Sequence, residues 1–186
     1  LKRCASCHRE GGAAMSLLTY EEARPWAKAI RDEVLNRRMP PWGAVKGYGE
    51  FRDDASLTQD EIMRIAEWVE GGAPAGDPAY LPTVPPARST SAPPPGQSWR
   101  GTMLESATKV LGIRPSGDVA ASKIYAVTPE GRVQPLIWLR EYKQRWSRTF
   151  WYREPLQLPS GTRLVAEPHV PFQLILHGSR SRKRAR

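Results

Sequence analysis

Apolar positions near the start of the chain recur at helical spacing. Ala23, Trp26, Ala27, Ile30, Val34 and Leu35 follow Thr19-Tyr20-Glu21-Glu22, which reads as an N-cap with acidic residues in a first turn. Pro25 must sit early in that helix or break its start, because it lacks an N–H and crowds the preceding turn. A second helix is predicted behind Thr58, with Glu61 at the capping-box position and Ile62, Ile65, Ala66, Trp68 and Val69 as its apolar stripe. Gly71-Gly72 ends it. From residue 74 to residue 98 the pattern dissolves into Pro, Ser, Thr, Ala and Gly, a composition that favours extended chain over packed core. Beyond it the period shortens to two. Lys123-Ile124-Tyr125-Ala126-Val127, the turn Pro129-Glu130-Gly131-Arg132 and the run from Val133 to Leu139 predict a hairpin. Residues 149–153, 162–166 and 172–176 predict further short strands, at the spacing of a β-sandwich.

The change of period across a proline-rich stretch divides the 186 residues. The expected organisation is an all-α domain over 1–78, a linker over 79–98, a β-sandwich over 99–177 and a basic tail over 178–186. The fold class is thus α + β in two domains. Charge follows the same division. Residues 1–78 carry 11 Lys+Arg against 13 Asp+Glu, whereas residues 79–186 carry 17 against 6. The tail Arg180-Ser181-Arg182-Lys183-Arg184-Ala185-Arg186 reads as a solvated charge run, with peripheral docking onto acidic lipid or an acidic partner as its alternative role. No apolar run reaches the ~18 residues that a membrane-spanning helix needs.

Cys4-Ala5-Ser6-Cys7-His8 carries the chemistry. C-x-x-C-H is the attachment signature of a c-type haem: the two thiols add across the porphyrin vinyl groups and the histidine supplies an imidazole to the iron. The motif uses both cysteines of the chain. A thioredoxin-type pair would need a βαβ unit to follow, and none is predicted. A zinc knuckle would need a second ligand pair, which the sequence lacks. A plain disulfide across three residues would close a strained loop. One covalent haem c is therefore the expected cofactor. Its attachment places the protein in the periplasm or another extracytoplasmic space, where nucleic acid is not an expected partner. Because the cytochrome c fold sets a helix ahead of this motif, an N-terminal piece is expected before Leu1.

The iron has a second axial position. Met15, Met39, Met63, Met103, His169 and His177 are the candidates, and Met39 is the choice. It stands in Arg37-Arg38-Met39-Pro40-Pro41-Trp42, between the helices, where two prolines forbid helix and should hold the chain extended. Trp42 is expected to cover the porphyrin edge. Met63 reads as core, Met15 is too near His8 in sequence, and a bis-histidine iron through His169 or His177 is the alternative. With Cys4, Cys7, His8, Met39 and Trp42 as cofactor-binding residues and His8 and Met39 on the metal, both poles are filled. The chemistry is then one-electron transfer, at a potential that the thioether raises.

Residues Cys4 to Pro78 resemble a family of bacterial monohaem cytochrome c domains. The matching elements are the C-x-x-C-H motif, Met15 to Arg31, Arg37 to Trp42 and Leu57 to Pro78, and the resemblance implies an all-α cytochrome c fold with His8 and Met39 as the axial pair. In that family the haem domain often precedes one resembling the C-terminal domain of copper type II ascorbate-dependent monooxygenases, which is a jelly-roll-like β-sandwich. Ile113-Arg114-Pro115, Pro129 to Arg132, Trp146 to Tyr152 and Pro155 to Thr162 resemble it here. Where the family shows His-Met-His to hold copper, this chain has Ser116-Gly117-Asp118, and Val170-Pro171-Phe172 stands near the place of Asp-Asn-Ser. The resemblance therefore implies a β domain without copper. The expected function is that of an electron carrier and not an enzyme, docking onto redox partner proteins or forming a subunit of a membrane-associated complex. A haem enzyme (peroxidase-like or a degenerate monooxygenase) and a structural subunit with a haem staple are the alternatives.

Overall fold

The computed structural model describes residues 3–80, 83 and 96–177. The chain divides into two compact units. The first comprises Leu1–Trp42 and Ala55–Ser91, and the second Gly43–Asp54 and Ala92–Arg186.

In the first unit, Thr19 and Glu22 form a reciprocal capping box that opens α1 (Tyr20–Ala23). Pro25 tightens the next residues, Arg24–Trp26, into a 3-10 turn before α2 (Ala27–Leu35) continues. Helix α2 ends in a Schellman motif. The Arg38 N–H donates to the Glu33 carbonyl (2.9 Å) and the Arg37 N–H to that of Val34 (3.0 Å), with Arg37 left-handed at φ 55°. Thr58 and Glu61 form the second capping box, opening α3 (Gln59–Glu70). The same device ends it, with Gly72 at φ +87° as the left-handed residue. Val34, Leu57 and Ile62 form a buried cluster, with Ile30 and Ile65 packed against them, and Ala27, Trp42 and Ala66 are buried as well.

Among the described residues, the second unit holds seven strands: β1 (Gly96–Trp99), β2 (Thr108–Pro115), β3 (Val119–Val127), β4 (Val133–Tyr142), β5 (Phe150–Leu158), β6 (Arg163–Glu167) and β7 (Phe172–His177). They pair antiparallel in two sheets, ordered β1-β7-β2-β5 and β4-β3-β6. The β3–β4 hairpin turns at Gly131, whose φ of +80° suits glycine. Val110, Ile113, Ile124, Ile137, Leu139, Phe150 and Leu174 alternate inward and are wholly buried. Between the sheets, the Tyr152 hydroxyl on β5 donates to the Leu136 carbonyl on β4 (3.2 Å).

The expected fold class, an all-α cytochrome c domain ahead of a jelly-roll-like β-sandwich, is overturned. Among the described residues helix is confined to the stretch from residue 20 to residue 35, the shorter α3 and isolated 3-10 turns, and antiparallel sheet dominates. The physical reason lies in the sequence around the helices. Gly11-Gly12 and Pro40-Pro41 interrupt helical hydrogen bonding, so residues 3–18 and 36–58 are turn and loop. Two further expectations shift. Gly96, Gln97 and Ser98, placed in the linker from composition, pair with β7 as part of β1, and β2 is a strand that the apolar pattern did not single out. Residues 84–95 of the linker and the basic tail at 178–186 lie outside the described residues. No described helix is long and apolar enough to cross a membrane.

Candidate cofactor site

The C-x-x-C-H motif folds as a helical turn. The Cys7 and His8 N–H groups both donate to the Cys4 carbonyl, at 3.1 and 2.9 Å. Bonds of i+3 and i+4 type put Cys4, Cys7 and His8 on one face of that turn. Ala5, inside the motif, is 1 % exposed and fixes the other face inward. Two side-chain bonds brace the turn. The Arg9 Nε donates to the Ala5 carbonyl (2.7 Å), and the Arg3 guanidinium pairs with Glu61 in the first turn of α3 (3.4 Å).

Both cysteines are free thiols. Burial, reinforced by the nearby Cys7 sulfur and Glu61 carboxylate, pushes the Cys4 thiol up from its ordinary value. A nucleophilic redox pair needs the opposite shift, so Cys4 does not have the character of a thioredoxin-type attacking sulfur.

His8 is oriented by main chain. Its Nδ1 lies 2.9 Å from the Met15 carbonyl oxygen. A carbonyl only accepts, so Nδ1 carries a proton, and in the neutral ring Nε2 keeps its lone pair, which is the tautomer a metal requires. The loop that delivers this carbonyl turns back at Gly11-Gly12 and runs beside the motif. The Ala14 N–H donates to the Cys7 carbonyl (3.2 Å) and the Leu17 N–H to that of His8 (3.3 Å). A Cβ on Gly12 would collide with the Cys7 carbonyl oxygen, so this close return needs glycine. Glu22 closes the far end of the loop, accepting from Ser16 Oγ (2.7 Å), Leu18 N (2.8 Å) and Thr19 N (3.1 Å). The Ser16 hydroxyl first, then the Thr19 N–H, hold its carboxyl below the usual carboxylate range. The sequence pattern did not single out Gly12, the Met15 carbonyl as the acceptor for His8 or the contacts of Glu22 with the return loop; the Gly-Gly pair was the signal available.

Met39 lies just beyond the Schellman end of α2, on a bend and not in the extended chain expected from its prolines. Its N–H reaches back to the Glu33 carbonyl (3.3 Å), which explains the bend. The side chain is 38 % exposed, so its thioether is not consumed by the core. Trp42 is buried at 5 % exposure. Met63, expected in the core, is instead exposed on α3, as are Met15, Trp26 and Leu35 elsewhere in the first unit. Met103, His169 and His177 belong to the second unit.

These residues fit a covalently held haem on three grounds. Two free thiols and an imidazole share one face, the imidazole is in the ligating tautomer, and a small core leaves large apolar side chains uncovered. Among the described residues, no group of three or more His, Cys, Asp or Glu side chains converges as a metal cluster. The Ser116-Gly117-Asp118 loop is engaged otherwise. Asp118 accepts from the Gln144 N–H (2.8 Å) and pairs with Lys143 (3.5 Å), while the Gly117 N–H donates to Gln144 Oε1 (2.9 Å). No family model, curated protein or solved structure matches the chain.

Proposed function

We propose that this chain is a monohaem c-type cytochrome that carries single electrons. The observation that carries the reading is the motif turn together with the His8–Met15 bond, which sets two thiols and one ligating imidazole on a common face. A haem attached there supplies a centre that takes up and releases one electron. The protein's own residues do the rest. Cys4 and Cys7 hold the group, the Met15 carbonyl fixes the tautomer of His8, Met39 offers a soft sulfur that favours the reduced state, and Trp42 gives an apolar edge. The reading extends to an extracytoplasmic location and to redox protein partners, a membrane-associated complex among them.

A second reading is favoured by one observation. Among the described residues of the first unit, Val34, Trp42, Leu57 and Ile62 are the large apolar side chains that are buried, a modest core for which haem in the same site acts chiefly as a staple for the fold. Expression alongside a haem-attachment system tests both. One haem adduct by intact mass, lost in Cys7→Ser, is the expected result, and a colourless protein without an adduct overturns the proposal. Reversible one-electron titration within the range of partner proteins distinguishes carrier from staple.

A further inference from the structure

Met39 follows two arginines and precedes two prolines. Pro40 and Pro41 have no N–H, so the residues directly after Met39 cannot tie the turn by donating from the main chain. The ties lie before it, on Arg37 and Arg38.

Arg38 is bound twice to one residue. Its N–H donates to the Glu33 carbonyl (2.9 Å), which the Met39 N–H also reaches (3.3 Å). Its guanidinium then returns to the carboxylate of that same Glu33, with Nε 3.0 Å from Oε2 and Nη2 2.7 Å from Oε1. Two bonds from one planar group make a fork, which fixes direction as well as distance. Arg37 is bound to the other helix. It is left-handed at φ 55°, a conformation that a residue with a Cβ seldom adopts, and its Nη2 donates to Gln59 Oε1 (3.1 Å) in the first turn of α3. The two arginines thus stay one turn against α2 and against α3.

Stability does not account for the fork. The Arg38 and Glu33 side chains are 52 % and 38 % exposed, and ion pairs so exposed contribute little to folding. Geometry does account for it. The fork closes on the residue next to the candidate sulfur, and it removes conformational freedom from the backbone that carries that sulfur, so less is lost when the sulfur binds.

We propose that Glu33 and Arg38 are positioning residues for the sixth iron ligand, their fork holding the turn in the arrangement from which the Met39 thioether reaches the iron. This rests on the cytochrome reading above. In the full haem-loaded chain, Arg38→Gln and Glu33→Gln each break the fork but change the local charge in opposite directions. Both should leave covalent haem content unchanged, weaken the weak red sulfur–iron(III) charge-transfer band and lower the midpoint potential. Both should also let added imidazole bind the ferric iron several-fold faster, because the thioether lets go more often. A pair acting by charge alone gives another pattern: Arg38→Gln lowers the potential, Glu33→Gln raises it, and the band stays. That pattern, or wild-type behaviour in both variants, overturns the positioning role while leaving the cytochrome intact. A wild-type chain that attaches haem but shows no such band overturns the Met39 ligation on which the fork acts. Failure to attach haem at all overturns the reading beneath both.

Discussion

The Nδ1 of His8 stands 2.9 Å from the carbonyl oxygen of Met15, seven residues later in the chain. Gly12 makes this possible, since any side chain there meets the Cys7 carbonyl. Gly12→Ala should therefore displace the return loop at a cost of about 1–3 kcal/mol, the usual penalty for overpacking. The Nδ1 proton resonance of His8 reports it: the hydrogen-bonded signal should be lost or shifted in the variant. An unchanged signal would show that the loop absorbs the methyl group.

Met39 lies just past the end of α2 and is 38 % exposed. Met39→Ala should leave attachment through Cys4 and Cys7 intact but lower the midpoint potential, because soft sulfur no longer favours the reduced iron. Redox titration of the purified protein checks it. A potential equal to that of wild type would assign the sixth position to another residue.

Glu22 gives a pH dependence with a definite sign. Its folded pKa is depressed by the Ser16 hydroxyl and the Thr19 and Leu18 N–H groups. Its contribution is thus present above the unfolded glutamate pKa and lost as pH falls through the folded one. Glu22→Gln should be less stable than wild type at neutral pH, and the difference should shrink toward acid. Urea unfolding at several pH values measures it, and a difference that does not vary with pH contradicts the assignment.

In the second unit, Tyr152 is buried at 1 % exposure and its hydroxyl donates to the Leu136 carbonyl. Burial pushes this phenol far above its ordinary range, so it stays a neutral donor throughout the working pH range. Tyr152→Phe should destabilise the unit by about 1 kcal/mol, the net worth of one such bond. Denaturant midpoints report it, and a loss near zero would mean that the bond contributes nothing.

Capping offers a local check on the first unit. Thr58→Ala removes the acceptor for the Glu61 N–H and should cost about 1 kcal/mol. Helical ellipticity at intermediate denaturant follows it, and a variant as stable as wild type would show that tertiary packing alone holds α3.

The sequence by itself determined what is local. The N-cap at Thr19, the capping box of Thr58 and Glu61, the Gly72 stop and the hairpin read over residues 123–139 depend on contacts between near neighbours, and their residues announce them. The motif at Cys4 to His8 likewise carries its chemistry in its own spacing. It carries no information about helix content, and that is why the all-α expectation failed around it. Tertiary structure alone decided the rest. It set the Met15 carbonyl against His8, gave Gly96–Trp99 a partner in β7, and drew residues 43–54 onto two sheet edges. The Arg52 main-chain N–H, for one, donates to the carbonyl of Trp151 (2.8 Å), far away in the sequence. Backbone pairing of this kind leaves no periodic trace in either partner, because the bonds join main-chain groups that every residue possesses.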